Sequence, residues 1–355
     1  MQQAIDKARA LVEAHAYIRR FRGREVVVKV GGSIMDDAEG LSRMLEDVAF
    51  MAAVGMRPVI VHGGGKAISH AMTEAGLEAQ FVQGRRYTDD RTLSIAEHVL
   101  VSQINKWIVD HLAEQGVKAM GLHSLGSCVV FGRRLFLGGE GGRRVDIGLV
   151  GEVEKVNALL LRALMDAGHV PVIAPIARDA SGGKLNINAD SVAGHVAAAL
   201  SAEKLVLVSD THGIRRSQDV DDLASTLTQT EINQLIDRGV ISAGMLPKVE
   251  AAITALGANV RKVHIVDGRI PHSILLEIYT DTGIGTEIVL DAAQSPSASE
   301  ATTGHVAPGL PAATTVPASS DRNGHGVPAP SPSRREGRGE GGAEHGGIKP
   351  SPHDD

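Results

Sequence analysis

Two short β-branched runs that end in glycines constrain this chain more than any other feature: VVVKVGG, Val26 to Gly32, and VIVHGGG, Val59 to Gly65. A run so rich in valine and isoleucine suits a strand buried on both faces, the condition of a parallel sheet, and each gives way to a helical pattern. Glycines after such a strand let backbone N–H groups approach an anion closely, and the helix N-terminus beyond adds partial positive charge. The layout therefore suits phosphate handling, with Lys29 set just ahead of Gly31 and Gly32. Either motif alone is also an ordinary tight βα turn. Together they can converge at the carboxyl end of one sheet, where open α/β folds bind ligands. The stretch GGGKAIS lacks the Walker spacing, so Lys66 has no P-loop role, and no G-x-G-x-x-G opens a helix.

At 355 residues and 43% hydrophobic content the chain can bury one large or two modest cores. A net charge of -6 gives no basic footprint for nucleic acid. The single cysteine, Cys128 in the apolar run SCVVF, cannot form an internal disulfide and reads as a buried structural thiol in a reducing, cytoplasmic setting. No apolar stretch reaches the roughly 18 residues that span a bilayer, and the mixed charges of the first twenty residues do not form a secretory leader.

In chain order, residues 1 to about 20 form an amphipathic helix with Ile5, Ala8, Leu11, Val12 and Ile18 loosely on one face, able to pack on its own domain or on a neighbouring subunit. Helices are expected over Ala38–Val54 and Lys66–Ala75. The irregular FVQGRRYTDD follows, where Arg85 and Arg86 offer a bidentate clamp for a carboxylate if they face an anion site. A long helix spans Asp89–Glu114. From Val117 to Val153 short alternating runs suggest an antiparallel excursion that walls or covers the site. Asn157 caps a helix that stops at Gly168, and VPVIAPIA is a buried strand. In KLNINADSVAGHVAAAL, Asp190 either caps the following helix or projects with Asn186 toward the site. The strand KLVLVSD, the helix GMLPKVEAAITAL with Lys248 at its start, the strand VRKVHIVDG and a last helix and strand complete the folded part. This alternation predicts an α/β fold, a three-layer αβα sandwich with a mainly parallel central sheet. Beyond about Asp291 the composition turns to Ser, Pro, Ala, Gly and charge, which predicts a disordered tail whose scattered histidines make no metal site.

KVGGS, VIVHGGG, the G-x-R-x-T-D of QGRRYTD, VGEVEKVN, LNINAD, GMLPKV and VDGRIPHSILLEIYTDTGIGT stand in one order over about Val26 to Leu290. In that order they resemble the N-acetylglutamate kinase family of amino acid kinases. The resemblance implies ATP-dependent phosphorylation of the γ-carboxylate of N-acetyl-L-glutamate, the second step of arginine biosynthesis. It implies a helix over 1–22, an amino-acid-substrate lobe over 23–178, a nucleotide lobe over 179–290 and the tail over 291–355. A carboxylate is already ionised at neutral pH, so its kinase needs no general base and works by positioning and charge stabilisation. By resemblance Lys29 bridges the transferring phosphoryl group, Lys248 stabilises charge on the ATP side and Asp190 orients both lysines. Gly31, Gly32, Gly64 and Gly65 supply backbone donors, Arg86 and Asn186 hold the substrate's α-carboxylate, and Mg²⁺ neutralises the ATP phosphates.

The leading helix with Tyr17 and the segment HSILLEIYTDTGIGT resemble the arginine-inhibited branch. That branch implies L-arginine as effector near Tyr17, Lys204, His272, Glu277 and Gly285, and a homo-oligomer, either a dimer or a hexamer built as a trimer of dimers. Arg85 and Tyr87 replace the leucine and valine usual in the family, Ser124–Arg144 matches poorly, and SDTHGIRR departs from T-D-V-x-G. These departures leave open another amino acid kinase, acting for instance on an aminoadipate derivative, and a non-catalytic arginine-sensing homologue.

Overall fold

The β-branched runs form the centre of one eight-stranded sheet. The computed structural model describes residues 1–291 apart from 124–126, 218, 220–221, 243 and 281–282; the expected tail, from residue 292 on, lies outside the described residues. All described residues fall in one compact unit. In chain order its elements are α1 (Gln2–Phe21), β1 (Glu25–Val30), α2 (Ala38–Ala53), β2 (Arg57–His62), α3 (Gly65–Glu74) and a two-residue hairpin pair, β3 (Phe81–Val82) and β4 (Arg85–Arg86). Then come α4 (Asp90–Glu97), a π-helical run (His98–Asn105), α5 (Lys106–Glu114), β5 (Ala119–Leu122), β6 (Val130–Gly138), β7 (Arg144–Val156), α6 (Ala158–Asp166) and β8 (Val170–Ile173). The rest are β9 (Ile176–Arg178), β10 (Lys184–Asn186), α7 (Ala189–Leu200), β11 (Lys204–Ser209), β12 (Thr226–Thr228), α8 (Gln229–Asp237), α9 (Leu246–Leu256), β13 (Lys262–Asp267), α10 (Ser273–Tyr279) and β14 (Thr286–Val289).

The sheet order is β12-β14-β13-β11-β1-β2-β8-β5, parallel except where β14 runs against β13. It crosses the expected lobe boundary without interruption, because β1 pairs with both β2 and β11. Side chains alternate across a strand, so Val26, Val28 and Val30 face one layer while Val27 faces the other. On the first face pack α2, α5 and α10; on the second pack α6, α7, α8 and α9. Those two buried layers are why the strands read as continuous apolar runs. Strands β6, β7, β9 and β10 close a small separate barrel beside the site.

Two local expectations change, and one stretch left unread in the sequence carries structure. Val117–Val153 is not one antiparallel excursion: β5 joins the edge of the main sheet, parallel to β8, and only β6 and β7 form the antiparallel ribbon. The long helix contains a π-helical run, which periodicity over a whole helix does not resolve. Residues 226–237 carry β12 and α8, an element that a capping box marks, with Thr228 and Glu231 bonded reciprocally to each other's backbone N–H. Helix α1 packs on this chain mainly through its end: Phe21 is buried and Tyr17 meets Tyr279, while Ile5, Leu11 and Val12 are exposed at 44%, 68% and 75%.

Candidate active site

Lys29 extends from β1 at the carboxyl edge of the sheet, and Asp190 lies in the first turn of α7. Their charged atoms stand 2.8 Å apart with both side chains buried. Lys248, in the first turn of α9, approaches the other Asp190 oxygen at 4.0 Å and also donates to the Gly244 carbonyl at 3.4 Å. Asp190 is not the cap of α7; that role belongs to Asn188, whose Oδ1 accepts from Ser191 N at 3.1 Å, so the carboxylate is free to serve the lysines. Burial alone would raise the Asp190 pKa, but Lys29 and Lys248 hold it below the usual carboxylate value. Burial draws Lys248 below the usual lysine value against the pull of Asp190. Two cations share one carboxylate, which leaves a net positive charge to be met by an anion.

That charge faces a cavity of about 260 Å³ whose lining includes Lys29, Arg86, Asn186, Asp190 and the glycines Gly31, Gly32, Gly64 and Gly65. A Cβ on Gly31 would meet the Lys29 ammonium, and one on Gly64 would fall 2.7 Å from Leu100 and Ile104, so a larger residue at either position would displace those side chains. Arg86 donates through Nη2 to the Gly65 carbonyl at 2.8 Å and to Ser69 Oγ at 2.7 Å, and its guanidinium lies 4.8 Å from the centre of the Phe81 ring. Asn186 donates to Thr88 Oγ1 at 3.2 Å, and Thr88 donates to the Arg86 carbonyl at 3.0 Å, which ties the two expected substrate-binding residues together. Every residue expected from the sequence to act in phosphoryl transfer or substrate binding thus lies at one edge of the sheet. Lys66 instead pairs with Asp36 at 3.0 Å on the surface. Cys128 is only half-buried, and burial pushes its thiol pKa up.

A second, larger cavity of about 650 Å³ lies beyond Lys248, walled by Asp210, His212, Arg215, Met245 and Arg269 among others. Asp210, at the end of β11, is missed as a candidate because SDTHG departs from the expected pattern. It nonetheless acts electrostatically on Lys248, and Gly32, at φ +74°, brings the first glycine loop against it. Asp267 pairs there with Arg269 at 2.6 Å and with His212 at 3.0 Å.

The candidate effector residues divide. Tyr17, Lys204 and Glu277 line a cavity of about 280 Å³ near the end of α1, and Gly285 N donates to Glu277 Oε2 at 3.0 Å. His272 is not on that wall; its Nδ1 meets Asp47 at 2.7 Å. His264, absent from the expected set, joins the others, with Nε2 3.0 Å from Lys204 Nζ and Nδ1 2.6 Å from Glu277 Oε1. It sits in a plain strand pattern, so only the fold could reveal it.

The amino acid kinase family pattern matches residues 24–267, and the chain belongs to the amino acid kinase family. It is 48% identical over 290 residues to acetylglutamate kinase of Symbiobacterium thermophilum, covering 81% of this chain and 99% of that one. Against acetylglutamate kinase of Methanothrix thermoacetophila it is 44% identical over 285 residues, covering 79% and 98%. Among solved structures it resembles N-acetylglutamate synthase from Neisseria gonorrhoeae, in complex with coenzyme A and N-acetyl-glutamate, with a TM-score of 0.71 at 26% identity. That match covers 80% of this chain and 64% of the synthase.

Proposed function

We propose that the protein transfers the terminal phosphoryl group of ATP to the side-chain carboxylate of N-acetyl-L-glutamate, a step in arginine biosynthesis. The observation that carries this reading is the buried Lys29, Asp190 and Lys248 cluster, set between the glycine-walled cavity and the larger cavity beyond α9. The acceptor occupies the first cavity, its α-carboxylate on Arg86 and Asn186, and its reacting carboxylate turned to Lys29. ATP occupies the second cavity with its phosphates toward Lys248. The acceptor oxygen attacks the terminal phosphorus, the bond to the bridging oxygen breaks, and ADP leaves with that electron pair. Lys29, Lys248 and the glycine amides carry the charge that spreads over the phosphoryl oxygens; no side chain has to remove a proton.

Among the described residues no group of three or more His, Cys, Asp or Glu side chains could hold a metal ion. Asp190 is committed to two lysines, so Mg²⁺ would be held mainly by the ATP phosphates, whose charge it would neutralise with few protein ligands. On this reading 23–178 is the acceptor lobe and 179–290 the nucleotide lobe. Helix α1, which leaves its apolar Ile5, Leu11 and Val12 exposed on this chain, is the contact between subunits of a dimer or a hexamer. L-Arginine fits the cavity of Lys204 and Glu277 as an effector, since a carboxylate there can pair with a guanidinium. No helix among the described residues is long and apolar enough to cross a membrane, in keeping with a cytoplasmic enzyme.

A second reading, another anionic amino acid such as an aminoadipate derivative, draws on Arg85, which lines the acceptor cavity and whose side chain makes no hydrogen bond or ion pair among the described residues. Steady-state ADP release with N-acetylglutamate, glutamate and aminoadipate, each with and without arginine, separates these. Selective turnover of N-acetylglutamate, lowered by arginine, is the expected outcome. Preference for a longer acceptor would overturn the substrate assignment, and insensitivity to arginine would overturn the effector assignment.

A further inference from the structure

The buried polar group that this chemistry leaves unused lies at the root of the second glycine loop. His62, the last residue of β2, is fully buried; its Nδ1 lies 3.0 Å from the Gly63 carbonyl oxygen and its Nε2 lies 3.1 Å from Asn105 Nδ2. The same Asn105 nitrogen lies 2.9 Å from the carbonyl oxygen of Val172 in β8. A carbonyl only accepts, so the Asn105 atom beside it is the amino group. That group only donates, so His62 Nε2 carries the lone pair. The ring proton therefore sits on Nδ1 and is donated to Gly63.

The fold makes room for this arrangement at two places. Asn105 closes the π-helical run, a wider turn that often marks functional positions. Gly121 in β5 faces the Asn105 amide oxygen, which a Cβ at that position would strike. Within one planar peptide the C=O and N–H point in opposite directions. A Gly63 carbonyl held on the buried imidazole therefore turns the Gly64 N–H away from it, and Gly63, Gly64 and Gly65 all line the cavity beside Lys29. That N–H has no acceptor among the described residues.

We propose that His62 and Asn105 are positioning residues that lock the Gly63–Gly64 peptide so that the Gly64 N–H meets the transferring phosphoryl group. The proposal rests on the kinase reading above and adds the source of its backbone donor. The opposite tautomer would set a lone pair against the Gly63 oxygen and release the peptide to rotate. Burial lowers the His62 pKa to about 4, with the Gly63 carbonyl opposing, and no charged side chain on β1, β8 or the π-helical run acts on the ring. Lys29 of β1 is turned to Asp190. The ring thus keeps one protonation state throughout the neutral range.

The decisive variant is Asn105→Asp, which replaces the donor by an acceptor of the same size. While His62 is an imidazolium facing the new carboxylate, Nδ1 still donates to Gly63 and turnover persists. Once the pair loses its proton, the remaining one moves to Nε2 and kcat falls on the order of 10²-fold, the loss of one phosphoryl donor. Asn105→Asp is therefore expected to acquire a kcat limb that falls with rising pH and is absent from wild type, with the KM for ATP unchanged. A folded Asn105→Asp protein with the wild-type kcat profile would overturn the proposal. The second measurement is ¹⁵N-histidine NMR of the full wild-type chain, with the His62 signal assigned by its loss in His62→Gln. An Nδ1–H tautomer that does not titrate down to pH 6 is expected; an Nε2–H tautomer or an imidazolium overturns the clamp. Because the NMR needs no turnover, wild-type protein silent toward N-acetylglutamate but showing the expected tautomer would sink the substrate reading and leave the clamp standing.

Discussion

Two buried clusters of lysine and carboxylate lie at opposite edges of the same sheet, and they differ in how completely they are satisfied. At the carboxyl edge one carboxylate, Asp190, serves both Lys29 and Lys248, and the cluster opens on a cavity walled by glycine backbone. At the amino edge Glu277 accepts from His264 and from the Ile284 and Gly285 amides, and Lys204 reaches the far nitrogen of His264. The first cluster holds more positive charge than its own residues neutralise, which suits a reaction that moves an anion. The second comes close to satisfying itself, as a buried polar network that stabilises a fold must. Neighbouring cavities make both accessible to ligands, yet only the first has unspent donors aimed at one point.

The sharpest test of this difference is Lys29→Ala. It should lower kcat by on the order of 10²–10³, the loss seen when one transition-state donor is removed, and a thermal melt beside the ADP-release assay reads separately the cost of leaving the buried Asp190 carboxylate with Lys248 alone. An active Lys29→Ala enzyme would place the chemistry elsewhere.

Glu277→Gln should do the reverse. It leaves buried donors poorly met and should cost about 1–3 kcal/mol of stability with kcat retained, read from denaturant midpoints at constant m. Burial would raise the Glu277 pKa, but His264 and the two amides bring it below its ordinary 4.5. A depressed carboxylate pKa contributes stability that is fully present above the unfolded value and is lost as pH falls through the lower folded value. The gap in melting temperature between wild type and Glu277→Gln should therefore narrow in acid. A gap independent of pH from 7 to 3 would deny Glu277 its ionised role.

Lys204→Met gives the smallest effect. Burial, with Lys262 next in weight, brings the Lys204 pKa down to about 8 from 10.5. Between those values the unfolded chain holds more protons than the folded one, so this group makes stability rise with pH across that window. Wild type should gain stability relative to Lys204→Met as pH climbs from 7.5 to 10, measured by urea denaturation. A constant difference would mean that Lys204 stays charged in the fold.

Much of the active edge was legible because its requirements are local. Valine runs that end in glycine, a polar cluster ahead of an alanine-rich helix, and a lysine at a helix start all express backbone or charge demands within a few residues, and Lys29, Asp190 and Lys248 carry them openly. His62 was printed inside the glycine motif but gave no sign of a partner, because Asn105 lies far along the chain and reaches it only through a π turn. The same holds for His264, which meets Lys204 and Glu277 only because β11, β13 and α10 pack together.

By itself, then, the sequence determined the alternation of strands and helices, the glycine loops and the charged residues that answer an anion, since strand period, glycine freedom and ionisation belong to the residues themselves. Tertiary structure alone decided that Asp190 faces two lysines and does not cap its helix, that β5 joins the main sheet, and which histidines are locked in one tautomer. Those outcomes depend on distances between residues remote in the chain, which exist only once the two layers of helices have closed over the sheet.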